Sequence, residues 1–163
     1  TSVGFAFGVA LALLAPPMWR VLDADRSLGN ELVFDHVRAL QTGPLVQVAS
    51  SDRHTVKPWF QGRIDYAPTV FDLKDEGFPL VGGRVDRIDG RPTAVLTYVR
   101  RLHVIDVFVQ PAEHAAAPTH ELRRGYHVVH WSDSSMQYWI VSGVDYPEIE
   151  RFVQAWRARQ AAP

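Results

Sequence analysis

Between residues 80 and 142 the apolar and polar positions follow strand periods. Residues 80 to 88 and 93 to 99 flank Asp89-Gly90, whose two positions both accept positive φ, and so predict a tight antiparallel hairpin. Residues 102 to 109 are apolar on both faces apart from His103 and Asp106, the signature of a strand covered on both sides and central in its sheet. Residues 126 to 131 and 136 to 142, joined by the polar run Ser132-Asp133-Ser134-Ser135, predict a second hairpin. Gly82-Gly83 inside the first strand predicts a bulge or the close approach of another backbone. Residues 111 to 124 hold two prolines and a run of alanines and predict an irregular surface connection.

Helical periods frame these strands. Asp145 as N-cap, Glu148 three residues on, and Ile149, Phe152, Val153 and Trp156 on one face predict a C-terminal amphipathic helix. Earlier, Asn30 offers an N-cap to a short helix whose stripe is Val33, Val37 and Leu40, with Leu32 beside it and Gly43-Pro44 ending it. Asp35 and His36 adjoin that stripe and are expected in surface or half-buried packing positions. Residues 45 to 49 predict a short extended segment, and residues 70 to 77 a turn of helix stopped by Gly77. The expected fold is α+β: a mainly antiparallel sheet of about five strands packed with N- and C-terminal amphipathic helices.

The chain starts differently. Residues 3 to 15 are thirteen apolar or small residues without a charge, followed by Pro16-Pro17. A spanning helix needs about 20 residues, so the expectation is the distal part of a transmembrane helix over residues 1 to 17, seated in a lipid bilayer with Trp19 and Arg20 at the far interface. A cleavable signal sequence or a buried helix are the rival readings. Residues 18 to 30 read as a polar linker and residues 31 to 160 as a single domain.

Composition narrows the function classes. The chain is 47% apolar and 21% charged with a net charge of −1, which supplies no field for nucleic acid. It has no cysteine, which removes disulfides, thiol redox chemistry and thiolate metal sites.

Residues 50 to 68, SSDRHTVKPWFQGRIDYAP, fit neither period. They mix both charges, a histidine, adjacent aromatics and two prolines, and predict an ordered loop anchored by Trp59 and Phe60, with Lys57 extended ahead of Pro58. With His36-Val37-Arg38, GFPLVGG at 77 to 83, DGRP at 89 to 92, HVIDVFV at 103 to 109, GYHVVHW at 125 to 131 and the last helix, this wording resembles the extracytoplasmic part of bacterial transmembrane anti-sigma factors over most of residues 32 to 156. It departs from that family at Thr69, where a second proline is usual, and at Gln110, where an aromatic is usual. The resemblance implies a single-pass protein of the inner (cytoplasmic) membrane whose residues after about 18 lie in the periplasm. It also implies that the domain relays an envelope signal to a sigma factor held by a cytoplasmic part that precedes this stretch. The signal would come from an envelope protein or a small ligand.

Three chemistries compete for the central stretch. As a ligand or partner surface it offers Asp52, His54, Lys57, Trp59, Phe60, Arg63 and Asp65, with Asp52 or Ser51 capping the turn at His54 and Lys57 or Arg63 pairing with Asp65. As a metal site it offers Asp52 and His54, joined by His103. As a hydrolase it offers Ser50 or Ser51 with His54 and Asp52, but all lie in one segment without the Gly-x-Ser-x-Gly elbow. His127 and His130, three apart on a strand, face opposite ways and cannot share an ion, while His114 and His120 fall in the irregular connection and are expected in solvent. The reading favoured is a non-catalytic regulatory domain without a cofactor; the alternative is a secreted or periplasmic ligand- or metal-binding domain.

Overall fold

A computed structural model of the chain describes residues 18 to 162. The membrane expectation for residues 1 to 17 lies outside the described residues; among those described, no helix is long and apolar enough to cross a membrane.

Seven strands form one antiparallel sheet: β1 (Val48–Ala49), β2 (Leu80–Ile88), β3 (Arg91–Arg100), β4 (His103–Pro111), β5 (Ala116–Arg123), β6 (Tyr126–Ser132) and β7 (Met136–Ser142), in the order β1-β2-β3-β4-β7-β6-β5. The five expected strands are all present, and the doubly apolar β4 is the central one. The expected turn at Asp89-Gly90 forms with φ of 50° and 70°. Gly82 serves both expected purposes. The β2–β3 register shifts beside it, and a Cβ there would lie 2.0 Å from the Val48 carbonyl oxygen of β1.

Two strands exceed the expectation. β1 is the short extended segment after Pro44, now paired to Gly82-Gly83. β5 replaces the irregular connection expected there. Pro118 is tolerated because β5 is an edge strand and its pairing with β6 shifts register between Ala116 and Thr119.

Among the described residues three helices cover the sheet: α1 (Met18–Thr42), α2 (Arg53–Trp59) and α3 (Tyr146–Ala161). α3 starts where expected and buries Ile149, Phe152, Val153 and Trp156. The Asp145 side chain makes no cap bond, and the Glu148 carboxylate, rather than reaching back to the N-cap, receives Arg100 at 2.8 and 3.2 Å. α1 corrects two expectations. It spans residues 18 to 30 as helix rather than linker, leaving Asn30 interior, and it ends at Gly43, whose φ of 55° and N–H bond to Ala39 form a left-handed cap. Its buried face runs through Leu32, Val33, Asp35, His36 and Ala39, turning Leu40 outward. Residues 70 to 77 form no helix; Leu73 and Phe78 bridge around a turn closed by Gly77 at φ 89°.

Alternation along the strands sorts the core into two layers. One face of the sheet packs Leu96, Tyr98, Val107, Trp131, Tyr138 and Ile140 against α3 and α2. The other packs Val95, Phe108, Val128, Trp139 and Val141 against Leu32 and Val33 of α1.

Candidate functional site

Residues 53 to 59 fold as the two-turn helix α2, correcting the expected loop, and Lys57 is helical rather than extended. Asp52 supplies the reason: its Oδ1 accepts the N–H of His54 at 2.8 Å, which satisfies an orphan donor of the first turn. Pro58 is accommodated because it sits next to the last helical residue, where little ladder remains to break. Phe60 is fully buried and packs on Gly83, where a Cβ would come within 2.9 Å of its ring. Trp59 is half-buried, edge-on to Phe60 at 5.2 Å. Asp52, His54, Lys57, Arg63 and Asp65 are exposed. Arg63 does not pair with Asp65; its guanidinium lies 4.3 Å over the Trp59 ring and donates to the Trp59 carbonyl at 2.6 Å. No salt bridge joins Lys57 to Asp65.

Neither alternative chemistry is assembled here. Ser50 Oγ accepts the Asp52 N–H at 3.1 Å, so of the side chains named for a hydrolase Ser50 and Asp52 are engaged in local turns. No group of three or more His, Asp or Glu side chains among the described residues is arranged to hold a metal ion. His54 is on α2, whereas His103 lines a cleft beside α1 on the opposite layer.

The concentrated chemistry lies between α1 and the sheet. Arg84 of β2 is 2% exposed and sits at its centre. Its Nη1 and Nη2 each donate to Asp106 of β4 at 3.1 Å, Nη2 also to Asp35 of α1 at 3.1 Å, and Nε to Asp86 at 3.0 Å. Arg38 of α1 closes the ring, donating to Asp35 at 2.6 Å and to Asp86 at 2.7 Å. Asp106, fully buried, takes two further bonds at 2.8 Å each, from Thr97 Oγ1 and from His36 Nδ1. Three carboxylates, two guanidiniums and one imidazole thus join helix to sheet.

This arrangement satisfies its charges rather than hiding them. Burial alone would raise the Asp106 carboxyl, but the hydrogen bond from His36 and the charge of Arg84 outweigh it and hold the group below its ordinary value. Asp86 moves the other way, raised by burial and by its neighbour Asp35. Burial opposes the charge on Arg84, yet Asp106 more than restores it. The Tyr126 ring meets His36 edge-on at 5.3 Å, and beyond lies an open cleft of about 480 Å³ lined by His36, Leu40, His103, Arg124 and Tyr126 among others. Every charged or imidazole side chain in its lining is basic.

Asp35 and His36, expected as packing residues, therefore belong to the site, and Arg84 and Asp86 were not singled out at all. Asp106 carried the available signal: a carboxylate within an otherwise apolar central strand demands a buried partner. Searches for likeness returned no matching family model, curated protein or solved structure.

Proposed function

We propose that the chain is the extracytoplasmic sensory domain of a membrane-anchored anti-sigma factor, a non-catalytic relay in which α1 connects the sheet to an apolar membrane segment. The resemblance of residues 32 to 156 motivates the family, and one observation supports the relay. α1 follows the apolar stretch directly in sequence, and its second half is tied to β2 and β4 by the buried ionic cluster of Asp35, His36, Arg38, Arg84, Asp86 and Asp106. A helix of 25 residues is about 37 Å long at 1.5 Å per residue. A ligand or envelope protein entering the basic cleft would touch His36 and Leu40 of α1 together with the strand ends of the sheet, and so would bias how α1 docks. The partner of the cytoplasmic part is a sigma factor, which would be released or retained according to that docking.

The test uses the intact protein with whatever precedes residue 1. It should co-purify with a sigma factor, and transcription from that factor's promoters should change in Arg84→Ala while sigma binding by the isolated cytoplasmic part is unaltered. An intact protein that captures no sigma factor, with a basic start leading straight into the apolar run, sinks the reading in favour of a secreted ligand-binding domain.

A further inference from the structure

The β5–β6 edge holds a side-chain pair outside the ionic cluster. In the register His120↔Val129 and Leu122↔His127, His120 and His127 are diagonal neighbours on one face of the sheet. His120 Nε2 lies 2.9 Å from His127 Nδ1. The rings are 5.1 Å apart and inclined by 31°, and Tyr146 at the start of α3 stacks on His120 at 4.0 Å and 23°. His120 is exposed and His127 half-buried, so the pair is supported from one side and open on the other. His120 was expected to be solvated in a connection; in β5 it gains a neighbour, because strand pairing brings together side chains seven positions apart.

We propose that His120 and His127 chelate a divalent first-row transition metal, with copper(II) bound tightest. With metal–nitrogen bonds of about 2.0–2.1 Å, two cis ligands at a right angle stand about 2.9 Å apart, whereas tetrahedral ligands stand about 3.3 Å apart. The spacing of 2.9 Å therefore brings both nitrogens within reach of one copper(II), nickel(II) or zinc(II) ion, and the two rings, which face each other along the hydrogen bond, turn to converge on it. Imidazole nitrogen suits all three, and the Irving–Williams order places copper(II) highest. Coordination needs neutral rings.

In the metal-free pair the proton between the two nitrogens belongs to one neutral imidazole. On binding, that proton moves to the other nitrogen of its own ring, both facing lone pairs go to the metal, and no net proton is released from a neutral pair. Water fills the remaining positions, since two histidines are the protein ligands. The inference is independent of the anti-sigma reading, and either can fail alone.

The untagged full chain, held in mild detergent, is titrated with aqueous copper(II) against a competing chelator, with nickel(II) and zinc(II) in parallel and electron paramagnetic resonance as readout. One copper(II) should bind with nitrogen hyperfine structure, ahead of the other two ions. Loss of a direct ligand should weaken binding at least as much as loss of an outer-shell partner, roughly tenfold or more, in both His120→Ala and His127→Ala. His54→Ala and His103→Ala should leave it unchanged. Circular dichroism without metal checks that the variants fold, and His120→Gln at the exposed position answers should His127→Ala not. No binding, or binding undiminished in the His120 variants, overturns the proposal, and loss on His54→Ala would place the ion in the central motif instead.

Discussion

The two faces of the sheet are covered by different physics. Against α3 the contact is aromatic: Trp156 meets Phe71, Tyr98, Trp131, Tyr138 and Phe152 with ring centroids 5.1–6.4 Å apart, and Phe78 stacks edge-on to Phe152. Against α1 a modest apolar cluster is shared with the ionic cluster around Arg84. Apolar burial is non-directional and insensitive to pH. A buried ionic cluster is specific in geometry, contributes little net stability when complete, and is severely destabilising when one member is removed. The α3 layer thus rests on apolar packing, and the α1 layer on a charge pattern that pH can alter.

That contrast can be broken most directly at Arg84. Arg84→Ala leaves Asp106, Asp35 and Asp86 without their common partner and should cost about 3–5 kcal/mol by chemical denaturation, with amides of α1 exchanging before those of α3. Equal loss of protection in both helices would show that the faces are not independent. On the opposite face, Phe60→Ala should cost about 3 kcal/mol through transfer and cavity terms, with the pH dependence of stability unaltered.

Acid should separate the layers next. The Asp106 carboxyl is held below its ordinary value, so the folded state binds fewer protons there than the unfolded chain. The stability this group contributes is complete above the unfolded carboxylate pKa of about 4 and is lost as pH falls through the lower folded value. Asp86, raised in the fold, has the opposite sign and protonates first with a gain in stability. Denaturation midpoints of wild type and Asp106→Asn should therefore converge below pH of about 4; a constant gap down to acid would show that Asp106 is not charged in the fold. Smallest of all are the exposed positions of the central motif. Trp59→Ala, at a half-buried ring, should cost about 1 kcal/mol in thermal melts, and His54→Ala should leave the melting temperature unchanged. A larger loss at His54 than at Trp59 would mean that the motif is held from its outer surface.

Much of the fold was written in the sequence by itself. Strand patterning located five strands, Asp89-Gly90 their tightest turn, residues 102 to 109, apolar on both faces apart from His103 and Asp106, the centre of the sheet, and the spacing of Ile149, Phe152, Val153 and Trp156 the buried face of α3. These follow from local geometry, because period and turn chemistry depend on neighbours in the chain. α2 was misread because its stabilising bond, from His54 N–H to Asp52, competes with a proline signal that weighs less near the helix end. Only the tertiary structure decided the ionic cluster and the histidine pair. Asp106 announced a buried partner but not which one; His36 stands 70 positions away and Arg84 22, and nothing in the alternation of Arg84 and Asp86 tells that α1 lies over them. Periodicity assigns a side chain to a face, whereas packing and register decide what covers that face and which charges meet there.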